Sequence, residues 1–322
     1  MVPIILGILV GFYQTRSPSC PFFIKLGVLV GSYQTRSPSW FFQTKFSNVL
    51  SDTCPISASV IQGSALGPAA FLINASDLYP LTPGNVMYKY ADDVFLLVPS
   101  PNTPSIPGEI EHLLSWALNN NLRLNASKTH ELLLAPRGLR SRALVLPPPC
   151  PGVARSSSLK ILGVTLQDNL TMGEHVSNLV AKGSQSLFAL KVLKRHGLAD
   201  AALHTVGRAI LVSRLTYAMP AWAGFSSVAE MNRLQAVLSK AKRWGLSGGT
   251  PYPGIAELSS MADQTLFKSS TSNPYRVLHR LLPPPVSHSH HLRSRHHNFT
   301  LPKSSTSRVR NFLHRMLYKD MY

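Results

Sequence analysis

The spacing of apolar residues changes along the chain. In Met87-Tyr-Lys-Tyr-Ala-Asp-Asp-Val-Phe-Leu-Leu-Val98 they lie on both sides of two acids, which predicts a buried β-hairpin with carboxylates at its turn. Over residues 107–122, Ile110, Leu113, Leu114 and Ala117 recur at helical spacing, so a helix is expected to pack beneath the sheet. Residues 130–135 and 158–166 read as strands. Pro147-Pro-Pro-Cys-Pro151 between them cannot sit in a central strand and marks an exposed loop. From Met172 onward the pattern is helical. Val176, Leu179, Val180, Leu187 and Leu190 form one apolar face, and a second helix is expected from Asp200, as its N-cap, to about Ala218. A third begins at the capping-box pattern Ser227-Val-Ala-Glu230 and carries Leu234, Val237, Leu238, Ala241 and Trp244. Gly248-Gly249 and Pro251 to Pro253 end it. The expected class is α+β: an antiparallel sheet with packed helices, then a helical region and a basic, partly disordered tail.

The two ends of the chain have their own character. Leu6-Gly-Ile-Leu-Val-Gly-Phe-Tyr-Gln-Thr-Arg-Ser-Pro-Ser19 recurs as Leu26-Gly-Val-Leu-Val-Gly-Ser-Tyr-Gln-Thr-Arg-Ser-Pro-Ser39. Two copies are too few for a stacked-repeat fold, which needs about three, and their near identity points to a tandem duplication in the coding DNA. Val2 to Phe12 is apolar but short of the roughly twenty residues a spanning helix needs. It also lacks the basic start and small-residue cleavage site of a signal peptide. Residues 1–45 are therefore expected to form weak strands or little structure, with no membrane role. Past Pro283-Pro-Pro285 the sequence is rich in His, Ser and Arg. His288, His290, His291, His296 and His297 have no acid or cysteine beside them, so a polar, disordered tail fits better than a metal site. Arg310 to Tyr318 reads as a short helix with Phe312, Leu313 and Met316 on one side.

A chain of 322 residues has room for two domains. Its three cysteines, Cys20, Cys54 and Cys150, are odd in number and far apart. They suggest neither a disulfide frame nor a zinc site, and fit an intracellular, nuclear or cytoplasmic protein that is not secreted. Thirty-two basic against 14 acidic residues give a net charge of +18, which favours a polyanionic partner through counterion release. Between Met172 and Leu246 the acids are Glu174, Asp200 and Glu230, against ten Lys and Arg. From Gln264 onward Asp320 stands alone against another ten. For any single one of these cations a solvated surface position explains it equally well.

Two adjacent carboxylates, Asp92 and Asp93, are costly to bury unless cations neutralise them. Divalent metals bound by carboxylate oxygen would do so, and such metals clamp phosphoryl transfer. A turn with solvated Asp residues also fits the tetrapeptide alone. Other motifs surround it: Gln62-Gly-Ser-Ala-Leu-Gly-Pro68, Ser76-Asp77-Leu78, Trp116, Asn121-Leu-Arg-Leu-Asn125, Lys128-Thr129, Glu131-Leu-Leu-Leu134 and Ser158-Leu-Lys-Ile-Leu-Gly-Val-Thr-Leu166. In that order they resemble the palm domain of reverse transcriptases of non-LTR retrotransposons. Glu174-His175-Val176, Ala201-Ala-Leu203 and Leu215-Thr-Tyr-Ala-Met-Pro-Ala-Trp222 are similar to the family's thumb region. Asn311-Phe-Leu-His-Arg-Met-Leu-Tyr-Lys-Asp320 resembles the end of such a reading frame.

The resemblance covers about residues 46 to 322 and implies a role for each matching position. Tyr90, Asp92 and Asp93 match the YxDD motif, whose carboxylates ligate Mg²⁺ or Mn²⁺. Gln62, Gly63 and Ser64, with Tyr90, would line the nucleotide and template pocket. Lys128 falls where the family has a lysine proposed to protonate the leaving pyrophosphate. Leu162 and Gly163 match the turn that grips the primer. The implied partners are an RNA template and a DNA primer or duplex, held by the basic thumb and tail, with no protein partner. The implied division is a repeat over 1–45, a partial palm over 46–170, a helical thumb over 171–250 and a basic tail with short helices over 251–322.

One departure from the family's pattern alters the expected activity. The family places a further metal-binding Asp on a strand well upstream of the QGS motif. The acid that this chain has in residues 1–61 is Asp52, ten positions before Gln62, in Ser51-Asp52-Thr53-Cys54-Pro55. The third carboxylate and the fingers are thus expected to be missing, with an unpaired strand edge beside the Asp92 hairpin. Three readings remain at this point: an active RNA-directed DNA polymerase, a truncated and catalytically defective palm and thumb that binds RNA or DNA, or a decayed element without selected function.

Overall fold

The computed structural model describes residues 5–14, 40–42, 45–46, 49–56, 67–120, 122–125, 128–134, 148–286, 297–302 and 309–319. The chain divides into two units, residues 1–157 and 158–322. Among the described residues no helix is long and apolar enough to cross a membrane.

In the first unit the strands are β1 (Ile5–Gln14), β2 (Trp40–Phe42), β3 (Lys45–Phe46), β4 (Val49–Leu50) and β5 (Cys54–Ile56), followed by helix α1 (Gly67–Asn74). Then come β6 (Val86–Tyr90), β7 (Asp93–Pro99), α2 (Ile106–Asn119), β8 (Leu122–Leu124), β9 (His130–Leu134) and β10 (Ala154–Ser156). The main sheet runs β10-β9-β1-β7-β6, with β8 also pairing to β1, while β2–β5 and β3–β4 form two small ladders. The period-two alternation of β7 buries Val94, Leu96 and Val98. On that face they meet Ile106, Leu113, Trp116 and Ala117 of α2. Within the expected α2 stripe, Leu114 instead faces out, because the helix is rotated to bring Glu109 and Trp116 inward.

The strand edge expected to be open beside β7 is filled. The first repeat copy supplies β1, antiparallel to both β7 and β9. A ten-residue run rich in Ile, Leu, Val, Phe and Tyr, without Pro or charge, has the composition that favours a strand. Pairing on both sides satisfies the backbone groups that would otherwise form bare edges.

The second unit opens with the hairpin β11 (Ser158–Ile161) and β12 (Val164–Gln167) and continues as helices. These are α3 (Gly173–Arg195), α4 (Asp200–Gly207), α5 (Ser213–Thr216), α6 (Met219–Trp222), α7 (Val228–Arg243), α8 (Ile255–Ser272) and α9 (Phe312–Leu317). Their core gathers Val176, Leu187, Leu190, Leu203, Leu211, Leu215, Trp222 and Leu234 with their neighbours. α3 and α7 approach closely at Gly183, where an added Cβ would lie 3.0 Å from Val237. The capping box at Ser227 and Glu230 forms as the sequence indicates. Asp200 lies in the first turn of α4, after Ala199 at the N-cap, and placing acid there still complements the helix dipole. The expected second helix runs from Asp200 to Thr216. A π turn at Arg208–Val212 widens it, and Ala218, with φ 49°, separates it from α6.

Helix α8 has no counterpart in the sequence reading, although Ile255, Leu258, Ala262 and Leu266 recur at helical spacing. Its far end carries part of the expected tail. Phe267 meets Phe312, Met316 and Leu317 of α9, and Arg315 pairs with buried Asp263 at 2.6 Å. His297 donates through Nε2 to the Leu317 carbonyl at 2.9 Å and rests edge-on against Phe267. His288, His290, His291 and His296 lie outside the described residues.

Candidate functional site

The β6–β7 hairpin closes with Tyr90 opposite Asp93, so Ala91 and Asp92 form a two-residue turn. Such tight turns need a positive φ, and Ala91 takes it, at 51°. A non-glycine residue held there stores strain, which is found most often at functional turns. Tyr90 is 64% exposed and Asp92 also faces solvent. Asp93 is half-buried at the start of β7.

Burial first, and then the neighbouring Asp92 charge, push the Asp93 carboxyl above its usual range, while Lys128 pulls it down. Asp92, Asp93 and Lys128 are thereby brought into one electrostatic neighbourhood. On the other side of β7 runs β1, whose Gly11 stands directly opposite Asp93. Directly opposed residues of antiparallel strands share a face, and Ile5–Gln14 contains neither Asp nor Glu.

Below the turn the hairpin is anchored by polar groups, of which the sequence reading singled out Asp77 and Trp116 but not Glu109. Lys89 reaches back to the carbonyls of Ala75 and Leu78 at 2.5 and 3.0 Å, and its burial lowers its pKa. Glu109 is only 1% exposed. It accepts from the Leu81 and Thr82 amides at 3.0 and 2.8 Å and from Asn85 Nδ2 at 2.8 Å. Its position inside the apolar stripe of α2 is the signal that could have found it. Trp116 Nε1 donates to Asp77 at 2.9 Å, which ties the loop after α1 to α2.

In the second unit Leu162 and Gly163 form the β11–β12 turn with φ of 45° and 90°. Both central residues are left-handed, as the tightest hairpins require. Tyr217 braces this turn. Its hydroxyl donates to the Leu162 carbonyl at 2.9 Å, and its ring lies 3.0 Å from where a Cβ on Gly163 would stand. Trp222 Nε1 in turn donates to the Tyr217 carbonyl at 2.9 Å. Buried His175 lies edge-on to Trp222 and accepts from the Thr165 amide. Gln62, Gly63 and Ser64 lie outside the described residues.

The carboxylates of Asp92 and Asp93 are hard oxygen donors of the kind Mg²⁺ or Mn²⁺ takes, and a site already crowded with negative charge gains from one cation. Among the described residues no group of three or more His, Cys, Asp and Glu assembles at ligating distance. Among these residues no third carboxylate stands with the pair.

Residues 29–166 match the family described as reverse transcriptase (RNA-dependent DNA polymerase), a span that holds the Asp92 hairpin and Lys128 but not β1. The chain is 28% identical over 236 residues to the RNA-directed DNA polymerase from mobile element jockey of Drosophila melanogaster. That alignment covers 66% of this chain and 24% of the relative. It is 26% identical over 218 residues to the probable RNA-directed DNA polymerase from transposon X-element of the same fly, covering 63% and 23%. The Drosophila funebris jockey polymerase is 27% identical over 238 residues, covering 65% and 24%. The chain thus spans about a quarter of the length of these relatives. The matched segment is similar to reverse transcriptases, and the chain to the RNA-directed DNA polymerases of these mobile elements.

Proposed function

We propose that these 322 residues form a nucleic-acid-binding part of such a reverse transcriptase that does not by itself extend a primer. The observation that carries this reading is the register of β1: Gly11 stands opposite Asp93 on a strand without a carboxylate. The strand slot beside the YxDD hairpin is filled by a repeat peptide, and the acid that would complete a two-metal site is not on it. Loss of one metal-binding charge from such a site costs several kcal/mol of transition-state stabilisation, hence orders of magnitude in rate.

In this reading the β-sheet of the first unit is the palm and the helical second unit the thumb. Asp92 and Asp93 hold one Mg²⁺ or Mn²⁺, which when bound polarises phosphoryl oxygens. Lys128 offsets the Asp93 charge and offers a proton beside it. Gln62, Gly63, Ser64 and Tyr90 line the nucleotide side, and Leu162 and Gly163 present a stiff turn, braced by Tyr217, to a primer backbone. The +18 charge supplies sequence-independent affinity for an RNA template with its DNA primer, inside the cell. Fluorescence anisotropy with a labelled RNA–DNA primer-template tests the binding. The expected result is tight binding at 50 mM salt that weakens by about a thousandfold or more at 200 mM, as several phosphate contacts imply. No binding by a folded chain at 50 mM would refute the proposal.

A further inference from the structure

Helices α3 and α7 lie side by side in the same direction, since Arg233 meets Ser177 and Lys194 meets Trp244 and Gly245. Apart from Glu174 and Glu230 in their first turns, neither helix carries an acid. Two aromatic rings stand in solvent here, Phe188 in the C-terminal half of α3 at 69% and Trp244 at the C-cap of α7 at 47% exposure. Lys191 sits over the Trp244 ring, 5.8 Å from its centroid. Phe188 and Arg195 lie one turn to either side of Lys191 on an exposed stripe of α3, and Lys240 lies one turn before Trp244 on α7. Lys194 Nζ donates to the carbonyls of Trp244 and Gly245 at 3.4 and 2.9 Å, which fixes the backbone that carries the indole.

Cations in the last turn of a helix commonly complement its dipole, and that accounts for Lys194 and Arg195. It does not account for Lys191, nor for two large rings left in water among cations. A protein-binding surface would be depleted of charge at its centre, whereas this one is basic and aromatic. Duplex binding needs cations alone, because its bases are already stacked. Exposed rings set among cations suit unpaired bases, which stack on the rings while the cations track the backbone.

We propose that Phe188, Lys191, Arg195, Lys240 and Trp244 form a stacking platform for single-stranded nucleic acid at the far end of α3 from the β11–β12 hairpin. The inference rests on the nucleic-acid-binding reading and adds a place and a preference for single strands.

The test titrates the full chain and its Trp244→Ala, Trp244→Phe and Lys191→Ala variants with labelled oligo(dT) and oligo(U) and with a blunt duplex. Melting curves confirm that each variant is folded. Trp244→Ala is expected to weaken single-strand binding about tenfold, in line with loss of one base-stacking contact, with the salt slope and duplex binding unchanged. Trp244→Phe is expected to restore most of the affinity and to remove the indole quenching that the oligonucleotide causes in the native chain. Lys191→Ala is expected to lower the salt slope by about 0.7. If the chain binds single strands and Trp244→Ala binds them equally well, the platform is refuted while the nucleic-acid-binding reading stands. If the folded chain binds no nucleic acid, both fall.

Discussion

Glu109 is the buried group whose removal has the most calculable consequence. Its carboxylate is nearly inaccessible and serves three donors, the amides of Leu81 and Thr82 and Asn85 Nδ2, at 2.8–3.0 Å. A hydrogen bond to a charged group contributes roughly 1.5–3 kcal/mol, and a buried donor left bare costs about 1–3 kcal/mol. Because one acceptor serves all three, the losses do not add. Glu109→Ala is expected to destabilise the first unit by about 3–5 kcal/mol. The effect also depends on pH. Burial alone would raise the pKa of Glu109, but the amides and Asn85 outweigh it and hold the carboxyl below its ordinary 4.5. As pH falls, the unfolded chain therefore takes up the proton first. The stabilisation is complete above about 4.5 and is lost as pH falls through the folded value. Urea unfolding followed by hydrogen exchange in peptides spanning 86–99, at pH 7 and at pH 4, measures both effects. A Glu109→Ala chain within about 0.5 kcal/mol of the parent, or a Glu109→Gln chain with the parent's acid loss, would refute the reasoning.

Further outcomes follow from the second unit. Gly163→Ala forces a Cβ to 3.0 Å from the Tyr217 ring at a φ of 90° and is expected to cost about 1–3 kcal/mol; an unchanged melting temperature would contradict the bracing role of Tyr217. Burial, aided by Lys182, holds the His175 imidazole below its ordinary 6.5. The unfolded chain thus takes the proton first, and stability, complete above about 6.5, should fall by up to about 1.4 kcal/mol per pH unit below it. Melts at pH 7.5 and 5.5 that coincide after correction for other groups would oppose this. Arg315→Met leaves Asp263 buried without its partner and is expected to cost about 3–5 kcal/mol; unaltered protease resistance of the 309–319 segment would count against it.

The local elements were legible where the pattern is local. Alternation on both sides of Asp92 and Asp93 announces the hairpin, and the Ser227–Glu230 spacing announces its capping box. Position of β1 was not legible, because its partners lie about 80 to 130 residues away and a nearly continuous apolar run carries no alternation to say which strands it joins. Helix α8 was obscured by the Ser and Thr interleaved among its apolar positions. The brace from Tyr217 through Trp222 to His175 was hidden for another reason: it depends on a left-handed break at Ala218, and nothing in side-chain periodicity reports that. Lys128 beside Asp93 was reached only through the family resemblance, since an exposed lysine after a short strand has no distinguishing local signal.

The central claim is that this chain binds nucleic acid without polymerising. Primer extension on an RNA template, with Mg²⁺ and separately Mn²⁺, tests it most directly when run on a demonstrably folded chain beside Asp92→Ala. The account predicts no extension by either protein. Extension by the native chain that disappears in Asp92→Ala would mean that another carboxylate completes the site, and would contradict the claim.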